Sequence, residues 1–252
     1  MAEFLDKDVI VMTPHEYEKY TDKSQKIVLD ISTDEYLNWL NAKFESAKDS
    51  KFVSALIHNR QYGYQNFIGI IGRGQIGKSV MLLNLLLWYN QSTEFEKFLT
   101  YDLQTYLKWA SEYQKTMIAL EEAERGFRSH SSTDLQELSG IIIDFYETSP
   151  YRQNSLIISQ PSLRLLKHLK SKMNFLINMV RRGVGVIYKE TTSLTAEKIY
   201  FSRTKEVIHS YPLCVDLYKR YESYSYLKKS EFLSSDLTTI SKYLKNQQNP
   251  YV

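Results

Sequence analysis

One stretch of the chain combines closely spaced glycines with a lysine and a hydroxyl side chain. Residues 72–79 read Gly-Arg-Gly-Gln-Ile-Gly-Lys-Ser, which satisfies the pattern Gly-x-x-x-x-Gly-Lys-Ser/Thr in full. Glycines let the backbone curl so that its N–H groups converge on phosphate oxygens, and a following helix presents its positive N-terminal end. Lys78 supplies a charge for the β- and γ-phosphates, and the Ser79 hydroxyl can ligate Mg²⁺. The stretch predicts a phosphate-binding loop made by Gly72, Gly74, Gln75, Ile76, Gly77, Lys78, Ser79 and Val80. The alternative is a chance match in a glycine-containing loop.

Two acidic residues follow an apolar run further along the chain. Residues 116–120 have the composition of a buried strand and lead directly into Glu121 and Glu122. In nucleotide hydrolysis, one acid at such a strand end holds the hydration shell of Mg²⁺ and the next polarises the attacking water. This reasoning assigns Glu121 to the metal and Glu122 to the general base. The alternative is that both are solvated acids at the start of a helix.

A third apolar run, residues 156–159, ends in polar Gln160. A polar side chain at the end of a strand inserted between the other two can contact the γ-phosphate or the lytic water. Gln160 is the first candidate for that role and Ser159 the second. Hydrolysis in a ring of subunits also needs an arginine supplied by a neighbouring subunit. Among the arginines that could face a neighbour (Arg125, Arg128, Arg152, Arg181 and Arg182), we favour Arg152 and Arg125.

The elements that must position these residues alternate between strand and helix. Strands are expected over 66–71, 116–120 and 156–159, with helices over 78–89, 101–112 and 134–148. This alternation predicts an α/β fold with a mostly parallel central sheet flanked by helices, in a P-loop NTPase core over residues 61–210. Residues 1–60 form an N-terminal accessory region, with a strand over 9–12 and one helix over 34–58 capped by Thr33. Residues 211–252 form a helical C-terminal extension.

A basic turn follows the third strand. Residues 174–180 and 184–188 flank Arg181-Arg182-Gly183 and predict a β-hairpin, and residues 198–202 predict one more strand. With Lys167, Lys170 and Lys172 nearby, this is the most basic local patch. Its predicted role is to contact the phosphates of double-stranded DNA, apart from the nucleotide site. The alternative is an ordinary solvated surface.

Overall composition restricts the class of protein only broadly. The 252 residues carry a formal net charge of +3 and include one cysteine, Cys214. A mild basic excess is weak evidence for nucleic acid, and a single cysteine excludes an intramolecular disulfide or a cysteine-rich zinc site. The beginning of the sequence lacks the pattern of a signal peptide, and the apolar runs are too short to span a bilayer. We therefore expect a cytoplasmic protein that does not enter a membrane.

Four segments in the same order resemble a known group of proteins. These are GRGQIGKS (72–79), YDLQTYLKWASEYQKTMIALEEAERGF (101–127), NSLIISQPS (154–162) and YPLCVDLYKRYESYSYLKK (211–229). They resemble P-loop ATPases encoded by archaeal viruses and plasmids, which look like small relatives of AAA+ and RecA-type ATPases. Such proteins often carry a similar Pro-containing, Tyr-rich C-terminal helix, here with Pro212, Leu217, Tyr218 and Tyr221.

The strand that ends in Gln160 also resembles the HerA/FtsK group of DNA-pumping ATPases, which includes viral genome-packaging enzymes. There the glutamine acts beside the γ-phosphate. Together the two resemblances imply ATP and Mg²⁺ as ligands, double-stranded DNA as a partner, a homo-oligomer, and the host cytoplasm if the protein is viral. Glu121 departs from the aspartate usual at the metal position.

Three classes of function remain open on this basis. The first is an oligomeric ATPase that acts on DNA in replication initiation or genome packaging. The second is a weakly hydrolysing, nucleotide-dependent regulatory switch without direct DNA binding. The third is a small-molecule kinase, which shares the phosphate-binding loop. ATPase rates with and without duplex DNA, together with a screen of small phosphate acceptors, would distinguish the three.

Overall fold

Two sheets run through the part of the chain that this computed structural model describes, namely residues 9–22, 25–122, 132–148, 150–161, 169, 172–193 and 198–247. The smaller sheet is the parallel pair β1 (Val9–Met12) and β2 (Lys26–Leu29). The larger has seven strands, which are β3 (Phe67–Ile71), β4 (Leu99–Thr100), β5 (Met117–Glu121), β6 (Ser155–Gln160), β7 (Phe175–Arg181), β8 (Val184–Ser193) and β9 (Lys198–His209).

The large sheet is mostly parallel. Its spatial order is β4-β5-β6-β3-β7-β8-β9. The strands from β4 to β7 in that order run parallel to one another, while β8 and β9 add an antiparallel hairpin at one edge. Every residue of β3, β5 and β6 is buried, as expected for parallel strands that are covered on both faces.

Helices cover both faces of this sheet. They are α1 (Pro14–Lys19), α2 (Thr33–Ser46), α3 (Lys51–Tyr62), α4 (Lys78–Asn90), α5 (Leu103–Glu112), α6 (Ser132–Thr148) and α7 (Val215–Gln247). Side chains of α2, α3, α4 and α7 share one hydrophobic cluster with one face of the sheet, and side chains of α5 and α6 share a second cluster with the other face. The predicted α/β class is confirmed, and the arrangement is compatible with a Rossmann-like core.

The central helix α4 is buried on all sides, with every residue from Met81 to Tyr89 inaccessible to solvent or nearly so. One polar side chain lies within it. The Asn84 amide donates a hydrogen bond to the Tyr36 hydroxyl (2.9 Å) and accepts one from the Tyr211 backbone N–H (2.5 Å). The amide nitrogen and the amide oxygen of Asn84 are thus both hydrogen-bonded, and the buried side chain connects α4 to α2 and to the segment before α7.

The N-terminal helical region differs from the prediction. The single helix expected over 34–58 is two helices, because the Ser50 hydroxyl accepts a hydrogen bond from the Val53 N–H and starts α3. The predicted cap Thr33 is also wrong. Ser32 caps α2, since its hydroxyl accepts from the Glu35 N–H at 3.3 Å and the Glu35 carboxylate accepts from the Ser32 N–H at 3.0 Å. This reciprocal pair depends on a Glu or Gln three residues after the cap, and Glu35 supplies it.

The predicted hairpin around Arg181–Arg182 is confirmed by the antiparallel pairing of β7 with β8. The strand expected over 198–202 is longer than predicted and continues to His209 as β9. Within the described residues, no helix has both the length and the apolar character needed to cross a membrane.

Candidate functional site

The candidate residues converge at the carboxyl ends of three neighbouring strands. A glycine-rich loop, residues 72–77, connects the end of β3 to the start of α4. The register places Ile71 of β3 beside Gln160 of β6, and Ser159 of β6 beside Glu121 of β5. Strand β6 therefore lies between the strand that leads into the glycine-rich loop and the strand that ends in the acidic pair, which is the inserted position expected from the sequence. Ligands of open α/β sheets bind at this edge.

The glycine-rich loop has a backbone that only glycine adopts without strain at two positions. Gly77 has φ of +91° and directly precedes α4. At Gly72, a Cβ atom would lie 2.9 Å from the Met179 Cβ, closer than packed carbon atoms approach. No side chain caps the N-terminus of α4, so the first N–H groups of the helix are not used by a side-chain cap. The loop thus presents backbone donors at the edge of the sheet.

Most of the predicted loop residues line one cavity of about 1370 Å³, namely Gly74, Gln75, Gly77, Lys78, Ser79 and Val80. Gly72 and Ile76 do not line it, and Ile76 instead packs against the hydrophobic cluster around α4. The Lys78 ammonium folds back over the loop and donates to the carbonyls of Gly72 and Arg73, each at 2.8 Å. Burial lowers the pKa of Lys78, while the charges of Glu121 and Glu122 oppose that shift.

Ser79 and Glu121, the two predicted metal ligands, are in direct contact. The Ser79 hydroxyl donates a hydrogen bond to the Glu121 carboxylate across the sheet. Glu121 is 2% exposed, and this burial raises its pKa, although hydrogen bonds from Ser79, Tyr101 and Tyr221 oppose the shift. The structure thus brings together two oxygen-bearing side chains that lie far apart in sequence.

Two tyrosines complete the surroundings of Glu121. The Tyr101 hydroxyl, from the segment before α5, lies 2.8 Å from one carboxylate oxygen. The Tyr221 hydroxyl, from α7, lies 3.1 and 3.0 Å from the two oxygens. Ser225, also from α7, lies 3.1 Å from the Tyr101 hydroxyl. Sequence reasoning gave none of the three a role at the site, although Tyr221 had been noted within the Tyr-rich segment.

Glu122, the predicted general base, lies in the wall of the same cavity and is 24% exposed at its side chain. Its carboxylate is 3.2 Å from the Lys229 ammonium of α7. Its backbone φ is +50°, an unusual value for a residue with a side chain.

Gln160 and Ser159 occupy opposite faces of β6, because successive side chains of a strand alternate. Ser159 is on the face of Glu121 and lines the cavity. Gln160 is fully buried on the other face and does not line the cavity. Among the described residues, neither amide atom of Gln160 has a hydrogen-bond partner. Of the two predicted candidates, Ser159 is therefore the one near the acidic pair.

Replacing Gln160 with leucine is expected to raise the free energy of unfolding. Each buried polar group without a partner costs about 1–3 kcal/mol, and leucine of similar size removes two such groups. Urea unfolding of both proteins measures the change. Asn154→Leu is the matched control: this residue is also buried, but its amide is bonded to Ala110, Tyr113 and Thr116, so the variant should lose stability. An equal loss in both variants would contradict the expectation. If Gln160 acts on the γ-phosphate as the sequence predicts, the Gln160→Leu variant should hydrolyse ATP more slowly although it is more stable than the wild type.

The predicted arginines are not all near the site. Arg152 precedes β6 at its amino end, so the length of the strand, about 16 Å from its rise per residue, separates it from the glycine-rich loop. Arg125 and Arg128 lie outside the described residues. Arg181 and Arg182, in contrast, line the same cavity as Lys78. The turn that carries them touches the loop, because the Gly183 nitrogen lies 3.4 Å from the position of a Cβ on Gly77.

Of the three lysines predicted to join the basic patch, Lys172 lies within the described residues and forms an ion pair with Glu147. Lys167 and Lys170 lie outside the described residues. Searches against known protein families and against curated proteins found no match to the chain.

Proposed function

We propose that this chain is a P-loop NTPase that binds ATP with Mg²⁺ on residues 72–79 and hydrolyses it in the cytoplasm. The observation that carries the proposal is the contact between Ser79, at the start of α4, and Glu121, at the end of β5. Each was assigned to Mg²⁺ from sequence alone, and the two are 42 residues apart in the chain. A chance match to the loop pattern would not explain why the two residues meet beside Lys78.

The donor atoms fit Mg²⁺, which prefers oxygen ligands and keeps several of its waters. Ser79 and Glu121 would hold it through one hydroxyl and one carboxylate. In the described residues no group of three or more His, Cys, Asp or Glu side chains gathers to hold a metal, so the remaining ligands would be nucleotide phosphate and water. When bound, the ion would neutralise charge on the β- and γ-phosphate oxygens.

The chain's own residues would perform three tasks. Backbone N–H groups of the glycine-rich loop and of the first turn of α4 would bind phosphate oxygens. The Lys78 ammonium would exchange the carbonyls of Gly72 and Arg73, which it contacts in the structure, for the stronger hydrogen bonds that a phosphate accepts. The Glu122 carboxylate, at the cavity wall, would orient a water molecule and accept its proton.

A calorimetric titration of the full chain tests this proposal. The ligands are an imido-bridged ATP analogue, ADP and adenosine, each with and without Mg²⁺. We expect the analogue to bind in the presence of Mg²⁺ and adenosine not to bind measurably, because the recognised groups are the phosphates. Adenosine binding as tightly as the analogue would contradict a phosphate-binding loop. No binding of any ligand would overturn the proposal.

The regulatory switch is a second candidate, because both acids already have partners within the chain. Glu121 is bonded to Ser79, Tyr101 and Tyr221, and Glu122 is paired with Lys229. A protein whose acids stay engaged would bind nucleotide yet hydrolyse it slowly. Turnover measured at saturating ATP distinguishes the two: an ATPase should reach the range of about 1–10³ s⁻¹ that is typical of enzymes, and a switch should fall well below it.

Action on double-stranded DNA as a homo-oligomer remains part of the proposal, with the Arg181–Arg182 turn as the contact. We expect duplex affinity to fall with salt with a slope of about 0.9 per neutralised phosphate on a log–log plot. Changing both arginines to alanine should flatten the slope by about two. Because both arginines line the cavity that contains Lys78, the variant should also bind the ATP analogue more weakly. The sequence analysis instead placed the basic turn apart from the nucleotide site.

Fluorescence anisotropy with a labelled duplex at several salt concentrations measures this. A variant that changes Lys97 and Lys108 to alanine is the control, since it removes the same charge from exposed surface positions. Absence of duplex binding by the wild type at low salt, with and without the ATP analogue, would remove DNA from the proposal and favour the switch.

A further inference from the structure

Helix α7 forms one wall of the cavity beside the glycine-rich loop. Tyr218, Tyr221, Ser225 and Lys229 all line it, and their spacing of three or four residues places them on one face of the helix. Tyr221 and Ser225 are 6% and 5% exposed and contact the Glu121 network. Lys229 brings a positive charge to the same face, two turns after Tyr221.

The position of α7 is fixed by contacts that two of its other residues make outside the cavity. Arg220 donates three hydrogen bonds to the Glu96 carboxylate at 2.7–3.1 Å, and the Tyr224 hydroxyl donates to the Leu99 carbonyl at 2.5 Å. A bidentate arginine–carboxylate pair is among the more specific ionic contacts in proteins. The Cα of Lys229 therefore has a defined place relative to the sheet, while its long side chain can still reorient.

In the structure the Lys229 ammonium lies 3.2 Å from a Glu122 oxygen, with side-chain exposures of 35% and 24%. Burial raises the pKa of Glu121 and lowers that of Lys78, and the Lys229 charge opposes the first shift and adds to the second. Lys78 approaches the acidic pair from the loop, and Lys229 approaches it from α7. Lys78 and Lys229 are two of several cations that line this cavity, with Arg181 and Arg182 among them, and an anion placed among these cations would be attracted to them.

We propose that Lys229 is a second phosphate-binding cation, which moves from Glu122 to the terminal phosphate when a nucleoside triphosphate binds. This inference rests on the proposed function. A triphosphate on the loop brings negative charge towards Lys229 that competes with Glu122, and the flexible four-carbon stem allows the exchange without movement of α7. A diphosphate lacks the terminal group and leaves the ion pair in place. The exchange also moves the Lys229 charge away from the Glu122 carboxylate.

The affinity of variants for tri- and diphosphate tests this assignment. Calorimetry with the imido-bridged ATP analogue and with ADP, both with Mg²⁺, is applied to wild type, Lys229→Ala and Lys229→Arg. We expect Lys229→Ala to bind the analogue about 10-fold more weakly, since one charged hydrogen bond at a partly exposed site is lost, while ADP affinity changes less than about twofold. Lys229→Arg should recover most of the loss. Lys228→Ala is the control, because this neighbour pairs with Glu231 and does not line the cavity.

A double-mutant cycle separates direct phosphate binding from simple neutralisation of Glu122. If Lys229 contacts the phosphate, Lys229→Ala weakens binding of the analogue in the Glu122→Gln background as well. If Lys229 only neutralises Glu122, the loss disappears in that background, and the assignment is overturned. Equal losses for the analogue and ADP, or no loss at all, overturn it too. A wild type that binds neither nucleotide overturns the inference together with the proposed function.

Discussion

Lys78→Ala is expected to weaken binding of the ATP analogue by about 10- to 150-fold, the range that corresponds to about 1.5–3 kcal/mol for a hydrogen bond to a charged group. The ammonium has a defined position over the glycine-rich loop, bonded to two of its carbonyls. Its removal takes away the cation at the start of α4. The protein should stay folded, because Lys78 is only partly buried and contributes no core packing.

Calorimetry gives the change in affinity, and thermal unfolding followed by circular dichroism shows that the variant is folded. Lys97→Ala is the control: it removes the same charge from an exposed residue paired with Glu94, and nucleotide affinity should not change. Equal affinity of Lys78→Ala and wild type would refute the phosphate-binding loop, whatever the turnover of the variant.

Glu122→Gln is expected to lower turnover about 10²- to 10⁴-fold, the usual contribution of a positioned general base. The amide keeps the shape of the side chain but cannot accept a proton from water. Binding of the ATP analogue should be retained and even strengthened, because Lys229 no longer has Glu122 as an anionic partner. Release of phosphate at saturating ATP, measured beside the calorimetric affinity, separates the two effects.

Glu94→Gln, which changes an exposed acid that is paired with Lys97, is the matched control and should hydrolyse ATP at the wild-type rate. Normal turnover by Glu122→Gln would show that Glu122 is not the base. Glu121 would then be the next carboxylate to test, since it is the other acid in the cavity wall.

Local patterns were sufficient for the parts of the fold that depend on local physics. The strands around residues 67–71, 117–121 and 155–160 were predicted because buried parallel strands are short apolar runs. The loop was predicted because its glycines, lysine and serine stand at fixed spacing. Helix α4 was predicted because a phosphate-binding loop of this pattern is followed by a helix. Each of these predictions needed no knowledge of distant residues.

The errors arose where one residue or one distant contact decides the outcome. The predicted strand stopped at Ser159, whereas β6 includes Gln160, and a side chain at each successive position faces the opposite side of the sheet. Ser159, not Gln160, consequently lines the cavity. The hydrophobic spacing over 34–58 continues from α2 into α3, because both helices bury side chains in the same hydrophobic cluster. Periodicity alone therefore does not show that one helix ends and that Ser50 caps the next.

The partners of the acidic pair were beyond local reasoning. Tyr221 lies 100 residues after Glu121, and Lys229 is one of many lysines in a polar, Tyr-rich helix. Nothing in the spacing of α7 indicates which face meets β5. Only the crossing of α7 over the end of the sheet, fixed by Arg220 and Tyr224, decides which residues of α7 line the cavity.

The dependence of Glu121 on α7 has a consequence for the protein while it is being made. A nascent chain that has left the ribosome as far as β9 already contains the loop, both acids and the whole central sheet. It lacks the Tyr221 hydroxyl beside Glu121 and the Ser225 hydroxyl beside Tyr101, so the hydrogen-bond network around the Glu121 carboxylate is incomplete at that stage. The acidic end of the sheet can be completed only after α7 has been synthesised and has folded back across it.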